Sequence, residues 1–248
     1  MHRFHIASDE EIKRGQTTDI YFIRTESILK ERDLYDVHVV AEVTVSKLPR
    51  GWTWGILSGV DEEAYLFEGC KVDVDIMPEG SVFSQADSKG IREPVMRIEG
   101  PYGAFCTLET PLLGLICQAS AITTAAAHIR KVAGKKLALS FGARRVHPAL
   151  APLIGRAAYI GGLDGVSNVA AARLLGIKPM GTMPHSLIIL FGDQAKAWKA
   201  FDEIMPKEVP RIALVDTYFD EKTEAIMAAA SLQDKLWGVR LDTPGSRK

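Results

Sequence analysis

The feature that most limits how this chain folds is a change of hydrophobic period near residue 110. Before it, Val37, Val39, Ala41, Val43 and Val45 alternate with Asp36, His38, Glu42 and Thr44. That is the period of a half-buried strand. Val72, Val74 and Ile76 repeat the pattern, and MPEGSVF (77–83) supplies a turn. Residues 1–110 are therefore predicted to be mostly strands and turns, in an antiparallel sheet with one covered face. After the change, Leu112, Leu115, Ala119, Ile122, Ala126 and Ile129 recur at three and four, which predicts a long helix ending at Gly134.

From there the chain alternates. KLALSFG (136–142), AAYIGG (157–162), IKPMGT (177–182), RIALVD (211–216) and LWGVRLD (236–242) read as strands. DGVSNVAAARLLG (164–176) and residues 219–235 read as helices, as does a segment capped by Asp193 with Ala197, Trp198, Phe201, Ile204 and Met205 on its buried face. Strand and helix at this pitch mean parallel βα units. About five units are present, short of a closed barrel. The expected fold class is α/β. An N-terminal mainly-β (α+β) domain, 1–110, packs on an incomplete α/β barrel of parallel βα units, 111–248, cut short at its C-terminus.

Charge removes some classes of partner. Thirty basic residues face 31 acidic ones, a net charge of −1, so no global field favours nucleic acid or an anionic membrane. The polar N-terminus lacks the apolar core of a secretory signal, and no apolar run approaches the ~20 residues of a membrane span. A cytoplasmic protein is expected. Cys70, Cys106 and Cys117, odd in number and without a CxxC pair, read as buried free thiols in a reducing compartment.

Polar clusters fall at the C-terminal ends of the expected strands, where such folds place their chemistry. They are Arg144 with Arg145; Asp164, Ser167 and Asn168; Thr182 and His185; Asp216; and Arg240 with Asp242. Two adjacent guanidinium groups suit a phosphate or carboxylate by fork geometry, or else surface ion pairs. Arg240 and Asp242, two apart on a strand, share a face and serve a ligand or each other. His185 follows a Gly/Pro turn; it is a base, a nucleophile for a phosphoryl group, or a structural group bonded to a carbonyl. His38 and His128 read as structural, and His147 is open.

GARR (142–145), GVSN (165–168), GTMPHS (181–186) and RLDTPG (240–245), in this order, resemble the nicotinate phosphoribosyltransferase family, its archaeal-type short members above all. DIY (19–21), PEGSVF (78–83) and ETPLLG (109–114) fit as well. The resemblance spans essentially the whole chain. It implies a dimer with active sites at the subunit interface, and transfer of phosphoribosyl from phosphoribosyl pyrophosphate to nicotinate in NAD biosynthesis. ATP is implied as co-substrate through a phosphorylated histidine, and magnesium as cofactor. By matched position, His185 is the phosphohistidine, and Arg240 and Asp242 hold the ribosyl diphosphate, Asp242 with the magnesium. Phe141 stacks on the pyridine ring, and Arg144, with Arg145 and Thr182 in the same motifs, binds substrate. Asp19 and Tyr21 reach the neighbouring subunit's site. Ser167 stands where nicotinamide-using relatives carry an aspartate. A hydroxyl donates to the ring carboxylate that an aspartate would repel, which favours nicotinate. Members of that family continue into Gly-rich loops that bind the 5-phosphate. Those loops are missing here, which implies weak turnover by this chain alone.

Two other readings stand beside it. Quinolinate phosphoribosyltransferase shares the fold and the sugar substrate, but needs a denser basic pocket for two carboxylates and no phosphorylated histidine. A non-catalytic fragment would complete a barrel with a second chain.

Overall fold

A computed structural model of the chain describes residues 4–243. The chain forms two compact units, one running to Met180 and the other starting at Gly181. The fold is α/β, mainly β toward the N-terminus and α/β beyond it.

The first unit opens with two helices, α1 (Asp9–Lys13) and α2 (Ile20–Glu31), followed by β1 (His38–Thr44), β2 (Trp54–Ile56), α3 (Val60–Phe67), β3 (Asp73–Ile76), β4 (Val82–Ser84) and β5 (Pro94–Pro101). β5 is the centre of an antiparallel sheet ordered β1-β5-β3, and β2 pairs with β4. The period-two pattern of β1 gives the expected single covered face: Val39, Ala41 and Val43 pack on a core of Leu66, Phe67, Met96, Ile98, Phe105, Leu108 and Leu112.

The three helices depart from the strand-and-turn reading of this stretch. α1 carries a sequence signal that went unread, a capping box between Ser8 and Glu11. α2 buries none of its residues, so it leaves no apolar stripe to read.

α4 (Glu109–Ala133) follows, and it ends at Gly134 as its period requires. Leu112, Ile116, Ala119, Thr123 and Ala126 form its buried face. Its hydroxyls carry part of the packing. Thr124 Oγ1 accepts from the Ile56 amide at 2.8 Å and Ser120 Oγ from the Ser58 amide at 3.0 Å, which fixes β2 along the helix. With the turn before it, this helix is long and apolar enough to cross a membrane, contrary to the sequence expectation. Leu112, Ile116 and Ala126 serve the core clusters of the unit, while Leu113, Ile129 and Val132 are exposed.

The rest of the unit is β6 (Leu139–Ser140), α5 (Ala151–Ile160), β7 (Gly165–Val166) and α6 (Val169–Leu175). β6 and β7 pair in parallel. AAYIGG is thus the last turn of a helix and its exit, and the strand comes one step later. Pro152 in the first turn of α5 marked that helix start. IKPMGT forms no strand, although the Met180 amide still donates to Val166 O at 2.9 Å. Asn168 caps α6 by accepting from the Ala171 amide.

The second unit contains α7 (His185–Phe191), α8 (Gln194–Ile204), β8 (Arg211–Leu214), α9 (Glu221–Leu232) and β9 (Leu236–Arg240). β8 and β9 are parallel neighbours. Their core gathers Met183, Ile188, Ala197, Trp198, Ala213, Leu214, Val215, Ala228 and Leu232. Trp198 is fully buried, and its Nε1 donates to Leu214 O at 3.2 Å. Asp193 caps α8 through the Lys196 amide, as expected. The apolar run after His185 is not a buried segment. It is one short helix, in which Ile188 is buried, Leu187 packs against the core and Leu190 is 83% exposed.

Candidate functional site

In the second unit, two chain segments, 216–217 and 242–243, converge on His185. The residue opens α7 directly after Pro184, so its ring stands at the helix entry. Its Nδ1 lies 3.1 Å from Thr217 Oγ1. Its Nε2 faces three acceptors: Asp242 Oδ2 at 3.5 Å, Asp216 Oδ1 at 3.6 Å and Thr243 Oγ1 at 3.5 Å. Carboxylates accept and never donate, so they favour the tautomer with its proton on Nε2, leaving Nδ1 to accept from Thr217.

Asp216 follows β8 and is the hub of the cluster. Its Oδ2 accepts from the amides of Asp242 at 2.5 Å and Thr243 at 2.7 Å. Its buried Oδ1 has no hydrogen-bond partner among the described residues and points toward His185. Burial pushes this carboxyl up, but the two amides, the Thr243 hydroxyl and His185 together outweigh it and hold it below the ordinary aspartate range. Arg240, at the end of β9, donates to Thr182 Oγ1 at 2.8 Å and to Met183 O at 3.2 Å, and pairs with Asp242 Oδ1 at 2.8 Å. Thr182, His185, Arg240 and Asp242 are therefore one network, as their shared strand-end positions suggested. Sequence reasoning placed Asp216 at a strand end without a role. It passed over Thr217 and Thr243, which carry no signal beyond adjacency to an aspartate.

The first unit holds the other candidates. Phe141 follows β6, half exposed, and Gly142–Arg145 form a single tight turn after it. Arg144 and Arg145 are exposed, and neither makes an ion pair among the described residues. Ser167 follows β7, and its amide donates to Ser140 O at 3.0 Å. Asp19 and Tyr21 sit at the start of α2. The Tyr21 hydroxyl donates to Asp19 Oδ2 at 3.2 Å, and Thr110 Oγ1 donates to the same oxygen at 3.0 Å. Partial burial and that carboxylate push the Tyr21 phenol up. Its ring is 56% exposed.

Two other histidines have structural posts. His128 is stacked between Trp52 and Trp54, at 4.1 and 3.9 Å between ring centroids. His147 caps the turn Pro148–Leu150 by accepting from the Ala149 amide. Of the free cysteines, Cys117 is exposed and only Cys106 is fully buried. A cavity of about 680 Å³ lined by Leu48, Trp52, Phe83 and Ile116 holds none of the candidate residues.

Comparison with known proteins bears on which chemistry this is. The family model for the quinolinate phosphoribosyl transferase N-terminal domain matches residues 19–120, and that for the C-terminal domain matches residues 122–248. The crystal structure of nicotinate-nucleotide pyrophosphorylase from Pyrococcus furiosus superimposes with a TM-score of 0.95 at 55% identity, over 100% of this chain and 62% of that one. Nicotinate phosphoribosyltransferase from Bacillus subtilis is 36% identical over 154 residues, 61% of this chain and 31% of that enzyme. The structure of human nicotinic acid phosphoribosyltransferase shares the fold, with a TM-score of 0.68 at 22% identity, over 91% of this chain and 61% of that one. The chain thus spans about three fifths of the archaeal structure and about a third of the bacterial enzyme.

These findings overturn the ATP-coupled nicotinate phosphoribosyltransferase reading. Two quinolinate phosphoribosyltransferase domains account for almost the whole chain, whereas the curated nicotinate phosphoribosyltransferases match only parts of it. Enzymes of the quinolinate type use no ATP, so the phosphohistidine at His185 and the ligase assignment fall together. Nicotinate as the acceptor loses its support with them. Magnesium at Asp242 came from the same resemblance; that carboxylate is engaged by Arg240 and faces His185. The motifs misled because they describe a sugar-diphosphate and pyridine-carboxylate chemistry common to both reactions. Ser167 shows why: a hydroxyl suits any ring carboxylate and does not count how many the ring bears.

Proposed function

The chain belongs to the quinolinate phosphoribosyltransferase family, and from that premise we propose that it serves phosphoribosyl transfer to quinolinate. The pyridine nitrogen bonds to the ribose C1 as the C1–O bond to pyrophosphate breaks. Quinolinate carries carboxyls at C2 and C3, and a nicotinate nucleotide keeps only the second. The C2 carboxyl therefore leaves as carbon dioxide, its bonding electrons passing to C2 beside the cationic nitrogen, where a proton then replaces it.

The observation that carries this reading is the Arg144–Arg145 pair, two exposed guanidinium groups without ion pairs among the described residues, after Phe141 at a strand end. Two carboxylates on one ring call for two such groups, and an aromatic face holds the ring in line. Ser167 adds a hydroxyl donor for the same ring. In the second unit, Arg240 is oriented by Thr182, Met183 O and Asp242, and suits the pyrophosphate that departs. Asp242 suits the ribose, where positive charge develops at C1, and His185 lies against it and against the buried Asp216. Asp19 and Tyr21, exposed and mutually bonded, suit the site of a second copy in a homodimer.

The test is pyrophosphate and carbon dioxide release from phosphoribosyl pyrophosphate with quinolinate or nicotinate, each with and without ATP. Turnover of quinolinate indifferent to ATP is the expected result. Turnover confined to nicotinate, or requiring ATP, refutes the proposal.

A further inference from the structure

The loop that brings Asp216 and Thr217 to His185 takes its shape from a residue outside the cluster. Glu224 lies in the first turn of α9 and is fully buried. Its Oε2 accepts from the Thr217 amide at 3.2 Å, and its Oε1 from the amides of Tyr218 at 2.6 Å and Phe219 at 2.8 Å. Three successive amides thus converge on one carboxylate. No lysine or arginine pairs with it among the described residues, so its burial is compensated by backbone dipoles.

Capping α9 does not require this arrangement. Asp220 already caps the helix, accepting from the Thr223 amide at 2.8 Å and the Thr223 hydroxyl at 2.7 Å. The bonds of Glu224 reach backward instead, into the segment that ends at the cluster. Thr217 is β-branched and stiff at χ1, so its hydroxyl goes where its backbone is held. Asp216 is its neighbour in the chain and shares the same constraint.

We propose that Glu224 is a positioning residue for His185, holding the 217–219 amides so that Thr217 Oγ1 meets Nδ1 while Asp216 faces Nε2. The kinetic part of its test rests on the proposed transferase function; the spectroscopic part does not.

Glu224→Gln is the informative change. Its carbonyl oxygen keeps the Tyr218 and Phe219 amides, while its NH₂ confronts the Thr217 amide, donor against donor. Thr217→Val removes the hydroxyl and leaves the amide. Long-range ¹H–¹⁵N spectra of the full chain, with His185 assigned through His185→Gln, read the ring nitrogens directly. Both variants should displace the Nδ1 resonance of His185 in the same direction. In the pyrophosphate assay, kcat should fall about tenfold in each, as loss of one ordinary hydrogen bond implies. The KM for quinolinate should stay unchanged. The double variant should be no slower than the slower single, because both act through one contact.

A folded Glu224→Gln protein with a wild-type His185 spectrum overturns the proposal, as do effects of the two changes that multiply. If Glu224→Gln does not fold, Glu224→Asp keeps the charge but draws the amides inward by one methylene. An unshifted His185 ring in that variant overturns the proposal equally. Absence of turnover in the wild-type chain would refute the transferase reading and leave the spectral result to decide this one.

Discussion

Glu63 is a buried carboxyl whose burial the Ile116 backbone offsets only in part. It lies in the middle of α3, 1% exposed, and neither of its oxygens has a hydrogen-bond partner among the described residues. Phe67, Val72, Val74 and Ile76 share with it a cavity of about 240 Å³. The charges nearby give no help: Glu62 is of the same sign, and Glu68, on the same cavity, is bound to Lys13 at 2.8 Å. Burial, reinforced by Glu62, pushes the Glu63 carboxyl from its ordinary 4.5 up to about 8. The folded chain therefore keeps a proton that the unfolded chain gives up. Stability must fall as pH rises between those two values, and level off above the higher one. At about 1.36 kcal/mol per pH unit, the loss from this group between pH 5 and pH 9 is roughly 4 kcal/mol.

Glu63→Gln keeps the shape of the neutral acid and removes the titration. Urea unfolding followed by near-ultraviolet circular dichroism, across that pH range, compares the two chains. With a urea slope of about 2–3 kcal/mol per molar, the wild-type midpoint should fall relative to the variant by about 1–2 M. The difference in pH dependence is the quantity to read, since the absolute stabilities also differ by the cost of burying an amide. Midpoints that run parallel across the range would refute the reasoning.

Other outcomes follow from the same geometry. Arg144→Ala and Arg145→Ala should each raise the KM for quinolinate about tenfold or more, the worth of a charge-assisted hydrogen bond, with kcat little changed; unaltered KM in the double variant would remove the pair from the site. Because Asp216 is held below its ordinary 3.8, its stabilising effect is present above that value and is lost as pH falls through the lowered one. Asp216→Asn should therefore flatten acid unfolding, and identical acid midpoints by circular dichroism would contradict this. A Cβ on Gly161 would collide with Thr123 O and sit 2.5 Å from Ala126 Cβ. Gly161→Ala should accordingly cost about 1–3 kcal/mol by calorimetry, and an unchanged midpoint would tell against this packing of α5 on α4. Trp198→Ala, which empties the middle of the second unit's core, should cost about 3–5 kcal/mol in chemical unfolding, and a loss under 1 kcal/mol would contradict its placement.

Periodicity was legible wherever one face is buried and the other wet. β1 and β3 show period two, and α4 shows period 3.6 up to Gly134, because a half-buried element writes its geometry into its side chains. Caps were legible for the same local reason, as at Asp193 and Gly176. The short apolar runs were not. AAYIGG has the composition of a buried strand or a buried helix alike, and only the packing of Ala157 and Ala158 settles it. α2 buries nothing within the chain, so no pattern announces it.

For the site, the sequence placed His185, Thr182, Arg240 and Asp242 among the polar groups at the ends of expected strands, and the structure joins these four in one network. The paired arginines pointed to a phosphate or carboxylate ligand, and it was the family resemblance that implied a sugar diphosphate and a pyridine carboxylate. Tertiary structure decided what surrounds the imidazole. The Asp216 carboxylate at Nε2, the Thr217 hydroxyl at Nδ1 and the buried Glu224 beneath the loop are distances between segments far apart in the chain. Those distances are set by the parallel pairing of β8 with β9 and the packing of α9, and no local spacing encodes them.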